Sequence, residues 1–416
     1  MSYTTDPRLP WLRLARLPGV GPVLVKRLLE YFHTPETILT AHPSSLAAVE
    51  DIGAIRANKI VANAAATQKA AEEELAKIDA DEITLLTPDH PDFPPGLKNI
   101  HDPPIVLYVR GQILPHDALA LGIVGARECS LYGREQSYRF AAQLAQSGLT
   151  IVSGGARGID TAAHNGALQV KGRTLVIQGC GLRHTYPPEN KALYQRIVAE
   201  QAGAIISEFP LDTPPVGDNF PRRNRIIAAL SLGILVVEAN MRSGSLITAR
   251  LAVDDYGREV FAIPGSIASH TSAGTHHLIK SATAHLVDSP EDILQNLGEA
   301  GQLLLQTSKN TENTEGTEIT ESRRRGSRQS SLPFEKPSPS STSVLSVSSA
   351  PSVFKFTTTQ QKILTALDSA DATGLTLDDL LERTALPASV IMAEITLLQI
   401  QSAITRLPAN RFARKN

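Results

Sequence analysis

Four clusters of residues carry the chemistry open to this chain, and none has the spacing of a catalytic constellation. The first is Gly122-Ile123-Val124-Gly125-Ala126-Arg127. An apolar run ends at a glycine that lets the backbone turn. Arg127 then stands at a strand's carboxyl end, where open parallel sheets bind ligands. Its guanidinium can hold phosphate oxygens bidentately or pair with a surface carboxylate. The second cluster, Ser153-Gly154-Gly155-Ala156-Arg157-Gly158-Ile159-Asp160, lies between an apolar run and the helix-like Thr161-Ala162-Ala163-His164. Free N–H groups of Ser153, Gly154 and Gly155, with Arg157 beside them, can form an anion site at a helix start. The alternative is a purely structural tight turn. The spacing is neither the dinucleotide fingerprint nor a Walker A loop, and no Lys-Ser/Thr follows the glycines, so ATP hydrolysis is not indicated.

The third cluster is Asn219-Phe220-Pro221-Arg222-Arg223-Asn224-Arg225. An aromatic ring for stacking on bases, beside guanidinium groups for phosphates, is what a single-strand groove requires. Some of these arginines can instead pair internally with Glu208, Glu238 or Asp160, and at least one is expected to be structural. The fourth is Glu238-Ala239-Asn240-Met241-Arg242-Ser243-Gly244-Ser245. Ser243 and Ser245 are natural helix caps, and Arg242 and Gly244 sit where N–H groups remain available to an anion. His164, His184, His276 and His277 show no metal-ligand spacing, and neither Cys129 nor Cys180 has the context of a nucleophile. No metal, cofactor or catalytic residue is expected.

The elements that must position these clusters follow from pattern. Strand-length apolar runs at 119–124, 149–152, 174–177, 204–207, 234–237 and 259–263 alternate with helix-length segments. That alternation predicts an α/β core with a largely parallel, Rossmann-like sheet. An Ala/Leu-rich helical region precedes it, broken at Leu17-Pro18-Gly19-Val20-Gly21 and at Asp51-Ile52-Gly53-Ala54. These breaks are similar to helix-hairpin-helix motifs, in which backbone N–H groups face a phosphate; Lys26, Arg27, Arg56 and Lys59 lie behind them. The alternative is a helical protein-contact module. A Ser/Thr/Glu/Pro-rich stretch reads as a disordered linker. After it, helices over 360–367, 377–384 and 388–399 and two short strands about residue 408 predict a winged-helix arrangement. The expected division is 1–80 helical, 81–300 sheet core, 301–355 linker and 356–416 winged-helix-like.

The net charge of the 416 residues is −2, so nucleic-acid binding must come from a local patch. Two distant cysteines exclude a disulfide framework, and no run reaches the roughly 18 apolar residues of a membrane span. A cytoplasmic protein with no membrane partner is expected.

The ordered set of motifs resembles the DNA-processing protein A (DprA/Smf) family. It comprises 122–127 with Tyr132-Gly133, 153–160 with Ala162-Ala163-His164, and Gly179 to Leu182 with Tyr186-Pro187-Pro188-Glu189-Asn190. It continues through Ser207-Glu208-Phe209-Pro210, 219–227, Glu238 with 242–250, and 257–265. The resemblance spans about 88–294. It implies a Rossmann-like core, often flanked by a helical and a winged-helix-like domain. It implies a homodimer that binds single-stranded DNA, protects incoming strands, loads RecA during natural transformation and displaces or bypasses single-strand-binding protein, with no catalytic cycle. It also implies that Arg127 contacts DNA phosphate and that Phe220 lies in the same pocket. Three positions depart from the family pattern. Gly217 stands where a lysine is common, His276 where Asn follows Gly274-Thr275, and Arg183 where Asp is usual, which adds positive charge near the expected groove. The competing reading is a Rossmann-like nucleotide-processing enzyme of the phosphoribohydrolase kind, though its Pro-Gly-Gly-x-Gly-Thr pattern is replaced here by Ser153-Gly154-Gly155-Ala156-Arg157. A third reading is a protein-only adaptor.

Overall fold

Six helices open the chain in the computed structural model, which describes residues 5–302, 304–305, 358–368, 374–384, 403–407 and 411–414 and the single positions 391, 395 and 398. They are α1 (Leu9–Ala15), α2 (Pro22–Phe32), α3 (Pro35–Thr40), α4 (Pro43–Ala47), α5 (Gly53–Ala64) and α6 (Ala66–Ala80). Proline in the first turn of each of the first four supplies a pre-set φ where no intrahelical N–H bond is lost. The two hairpin breaks close a small core of their own from Leu14, Leu17, Val20, Leu28, Ile38, Leu46, Ile52 and Ile60. Helices α1 and α6 belong to a different core. Leu9, Trp11, Leu12, Leu75 and Ile78 pack with Tyr108, Val176, Leu193, Tyr194 and Ile205 on one face of the central sheet. Glu74 of α6 is buried there, accepting from the Leu211 N–H at 2.8 Å and pairing with Arg16 at 3.1 Å. The helical region is thus joined to the sheet beyond residue 80 by shared packing, and residues 1–304 form one compact unit.

The sheet has nine strands: β1 (Thr84–Leu86), β2 (Leu107–Gly111), β3 (Ala120–Val124), β4 (Thr150–Ser153), β5 (Thr174–Ile177), β6 (Gly203–Ser207), β7 (Gly233–Val236), β8 (Glu259–Ala262) and β9 (His285–Leu286). Their order is β1-β2-β6-β5-β4-β3-β7-β8-β9. Every pairing from β6 to β9 is parallel, whereas β1 and β2 add antiparallel at one edge. All six runs singled out by pattern are strands. The three that pattern missed are β1 and β2, which add antiparallel, and the two-residue β9. Strands β3 through β7 are buried on both faces, as crossover helices on each side require. The crossovers are α8 (Leu131–Gln146), α9 (Ile159–Gln169), α10 (Lys191–Ala199), α11 (Asn219–Leu230) and α12 (Gly244–Asp254), with α7 (Pro95–Lys98), α13 (Ala273–Lys280) and α14 (Pro290–Asn296) at the periphery.

The order of strands fixes where a ligand can go. From β3 the chain winds outward through β4, β5 and β6; it then returns to the other side of β3 and continues through β7, β8 and β9. The direction of winding reverses between β3 and β7, and at such a switch point the two departing loops part and leave a crevice at the strands' carboxyl ends. Val124 and Val236 are the last paired residues there. None of the helices among the described residues is long and apolar enough to cross a membrane.

The second unit is described separately. Helices Thr358–Asp368 and Leu377–Thr384 and the antiparallel pair β10 (Ile404–Leu407) and β11 (Arg411–Arg414) surround a core that includes Ile363, Leu364, Leu380, Ile391, Ile395, Leu398 and Phe412. Thr376 caps the second helix reciprocally with Asp379, at 2.8 and 3.2 Å. Of the expected third helix over 388–399, positions 391, 395 and 398 are described; each is helical and buried. The expected linker lies, from residue 306 onward, outside the described residues.

Candidate nucleic-acid interface

The crevice at the switch point is a cleft of about 830 Å³. Its walls come from the loop after β3 (Gly125, Arg127, Glu128), the start of α11 (Phe220, Pro221, Asn224) and the start of α12 (Ser243, Gly244, Ser245). The two loops leaving the sheet are tied together, because the Ala126 N–H donates to the Glu238 carbonyl at 2.7 Å. Glu238 itself is buried and accepts from the Ser130 N–H at 2.8 Å, its hydroxyl at 2.6 Å and the Thr271 hydroxyl at 3.1 Å. It therefore orients the loop that carries Arg127 and is not an arginine's partner. Gly158 completes this corner. Its φ of +76° is open to glycine, and a Cβ there would strike the carbonyls of Ala126 and Arg127.

Arg127 is exposed and has no ion pair among the described residues. Its guanidinium lies over the Phe220 ring, 5.1 Å from the centroid, and the Tyr186 ring stands 5.4 Å from Phe220 on a tilted plane. A half-buried ring under a free guanidinium offers a phosphate its positive charge and a base its apolar face. Opposite, Ser243 caps α12 through the Ser245 N–H at 3.4 Å, and Gly244 opens onto empty space. The start of this eleven-residue helix adds partial positive charge to the same cleft. Asn224 ties α11 to α12 through the Gly244 carbonyl at 3.4 Å.

Not every expected residue reaches the cleft. Arg127, Phe220, Arg223, Asn224, Ser243, Gly244 and Ser245 line it; Arg222 and Arg242 are exposed but lie outside the lining. The expected anion cradle at Ser153, Gly154 and Gly155 is buried, and its hydroxyl and two of its carbonyls are held from within. The Ser153 hydroxyl donates to the Ile123 carbonyl at 2.6 Å, and the Gly154 carbonyl accepts from Arg223 at 2.6 Å. The Gly155 carbonyl accepts from Asn190 at 2.8 Å and Tyr194 at 3.1 Å. Arg157 is turned aside into an exposed pair with Glu189 at 2.7 Å. Arg223 is 4% exposed and donates to the carbonyls of Gly154 and Ile177. It stiffens the floor of the cleft and has little surface to offer a ligand. Arg225 is likewise internal, paired with Glu208 and with the carboxylate of Asp102 at 3.5 Å. Asn219 is buried. Two of the three clustered arginines are therefore structural, because the helix that presents Phe220 must also pack on the sheet.

Asp160, on the cleft wall, accepts from the Ala156 N–H at 3.2 Å. Burial pushes its carboxyl above the usual range, against the pull of Arg223. His164 on the same helix is fully buried with Nδ1 at 2.7 Å from the Thr174 hydroxyl; burial, with Arg223 adding to it, pushes its imidazole down to about 3. Arg183 adds no free charge to the cleft, because Asp81 holds it at 2.6 Å and Asp212 at 3.4 Å. Three of the four cations behind the hairpins are also engaged: Lys26 on the Ile100 carbonyl at 3.1 Å, Arg27 on Asp51, and Arg56 on the Asp51 carbonyl. Sequence reasoning gave no role to Tyr186, Asn240, Ile247 or Thr271. They share the cleft only because the loops and the helix start that carry them converge at the switch point, and no periodicity marks them.

An open, mostly parallel sheet with a cationic, aromatic-floored cleft at its switch point defines a Rossmann-like protein able to take an anionic ligand carrying a ring. The profile described as DNA recombination-mediator protein A matches residues 84–298, flanked by matches to a SAM-like helix-hairpin-helix tandem at 12–66 and a DprA winged-helix domain at 347–410. The chain is 46% identical over 230 residues to Protein Smf of Escherichia coli, covering 55% of this chain and 61% of that one. It is 40% identical over 294 residues to Protein Smf of Synechocystis, covering 69% and 72%. The crystal structure of DNA processing protein A from Streptococcus pneumoniae superposes with a TM-score of 0.60 at 33% identity, covering 70% of this chain and 98% of that one. This chain belongs to the DNA recombination-mediator protein A (DprA/Smf) family.

Proposed function

We propose that the switch-point cleft binds single-stranded DNA and that the protein is a recombination mediator without a catalytic cycle. On this reading a homodimer in the cytoplasm protects incoming strands during natural transformation. It passes them to RecA in place of single-strand-binding protein. The observation that carries the reading is the free Arg127 guanidinium over the Phe220 ring, facing the open start of α12. Together they offer charge for a phosphate and a surface for an unpaired base. A duplex hides its bases and so loses the second half of that offer.

A gel shift comparing single- and double-stranded DNA across salt tests this. The expected result is single-strand preference with a log–log salt slope of about −0.7 for each phosphate contacted. A salt-independent shift, or equal affinity for duplex, would overturn it. Incubation with nucleoside monophosphates in parallel addresses the enzyme alternative, since released base would indicate hydrolysis. Adding RecA to strands coated with single-strand-binding protein tests the loading step separately.

A further inference from the structure

The mouth of the cleft has an unusual chemistry for a phosphate site. Met241 is 55% exposed, Val216 46% and Ile247 44%. Met241 lies between the cleft-lining Asn240 and Ser243, Val216 lies between the cleft-lining Pro215 and Gly217, and Ile247 lines the cleft itself. The apolar groups therefore stand on both lips, one on the loop that leads into α11 and one on the loop and first turns of α12. Arg242 is exposed next to Met241, and Arg250 continues the face of α12 three residues beyond Ile247; Arg222 is exposed with its guanidinium 5.2 Å from the centroid of the Phe209 ring. Glu128 and the buried Asp160 are the only acidic side chains on the wall. A cleft for phosphate alone needs charge and water at its rim, whereas large apolar side chains gathered at one opening mark a surface that is covered in use.

We propose that the two lips bind the bases flanking the nucleotide held in the cleft, with Met241 and Ile247 on one side and Val216 on the other. The occupant is the same single strand, so this inference rests on the reading of the cleft as its binding site. The apolar lips are continuous with that cleft, and the exposed Arg242 and Arg250 belong to the same loop and helix as Met241 and Ile247. Bases of a duplex are stacked and paired, so the lips act only on an unpaired strand and set the preference for it. Arg127 anchors; Met241, Ile247 and Val216 discriminate.

Fluorescence anisotropy of the full chain separates the two roles, using labelled oligo-thymidine and a strand of equal length whose sugar-phosphate backbone carries no bases at interior positions. The paired change Met241→Ser with Ile247→Ser should weaken binding of oligo-thymidine about tenfold, in line with the worth of one lost base contact. It should leave the baseless strand unchanged and narrow the gap between single-stranded and duplex affinity. Both residues are exposed, and the thermal melt of the pair should match that of the parent chain. Ile267→Ser, at a 95% exposed position away from the cleft wall, is the control and should change neither strand. Arg127→Ala reports on the cleft itself and should weaken both strands alike. Equal loss on both strands in the paired variant, or no loss on either while Arg127→Ala still weakens them, overturns the assignment of the lips and leaves the cleft standing. No effect from Arg127→Ala overturns the reading of the cleft.

Discussion

At the end of β4 the chain runs Ser153-Gly154-Gly155-Ala156 toward α9, and after β7 it runs Arg242-Ser243-Gly244-Ser245 into α12. Both corners are strand, Ser/Gly loop and helix, and both lie at the carboxyl edge of the sheet. Their environments differ. The first has Arg223, Asn190 and Tyr194 beneath and beside it, and its carbonyls and hydroxyl are engaged by them. The second has one cap within itself, Asn224 on the Gly244 carbonyl at 3.4 Å, and open space above Gly244. A Gly-rich corner is thus buried or open according to what packs beneath and beside it, whatever its glycine content. In this molecule the more glycine-rich of the two corners is the scaffold.

The largest effect should come from breaking the buried corner. A Cβ at Gly154 would stand 2.5 Å from Nη1 and 2.7 Å from Cζ of the fully buried Arg223. Removing Arg223 instead would strand the carbonyls of Gly154 and Ile177 and leave the buried Asp160 without the cation that most favours its charged form. Either Gly154→Ala or Arg223→Ala should cost about 3 kcal/mol or more of stability. Trp11, the only tryptophan and buried in the same unit, reports this by fluorescence during denaturation. Gly244→Ala should cost less than about 0.5 kcal/mol, as an ordinary surface change. Comparable losses at the two glycines would erase the contrast between the corners.

Next in size is Arg127→Ala. Loss of a charge-assisted contact should weaken single-strand binding about ten- to a hundredfold with the melting temperature unchanged. Unchanged affinity in the folded variant would remove Arg127 from the interface. Gly217 offers the converse test. It lines the cleft, its φ is an ordinary one, and nothing lies within 4 Å of where a Cβ would stand. Gly217→Lys should therefore fold normally, raise single-strand affinity several-fold and steepen the salt slope by about one contact's worth, roughly 0.7. No gain at low salt would mean that this lip does not approach phosphate.

A smaller effect concerns pH. His164 is neutral in the folded protein down to about 3, while the unfolded imidazole takes up its proton near its ordinary value. Between those limits the unfolded state binds more protons, so stability contributed by a neutral His164 falls as pH drops below about 6.5. Asp160 and Glu208 act in the opposite sense, because burial raises both carboxyls and the penalty for their charge is relieved as pH falls. The informative quantity is the difference between the parent chain and His164→Gln in melting temperature at pH 7 and at pH 5. That difference should shrink at the lower pH, and a difference independent of pH would contradict the buried neutral imidazole. The smallest effect is expected at Arg157, whose exposed pair with Glu189 lies off the cleft; Arg157→Ala should change single-strand affinity less than about twofold, as exposed pairs do. A tenfold loss there would restore the first corner as a ligand site.

The sheet was legible because parallel strands buried on both faces must be short continuous apolar runs, and six of them stand out in the chain. The outermost strands β1 and β9 were not, since a strand of two or three residues leaves no such run; the five-residue β2, paired with both β1 and β6, was missed although its first three residues are buried. The C-terminal pair was readable as two short strands about a turn. Of the candidate site, Arg127, Phe220 and the cap at Ser243 could be placed from the glycine after a strand, the aromatic among arginines and the serine before a helix.

What the sequence determined by itself is therefore local: which runs are strands, where they end, and which loops carry charge, aromatic rings or caps. Spacing along the chain says nothing of which loops meet. The cleft exists because the winding reverses between β3 and β7, which brings residues more than a hundred positions apart, such as Arg127 and Ser243, to one opening. The same tertiary packing turned Arg223 and Arg225 into the sheet while leaving Arg127 free. A guanidinium's role is set by the acceptors within reach of its five donors, and only the folded chain supplies them.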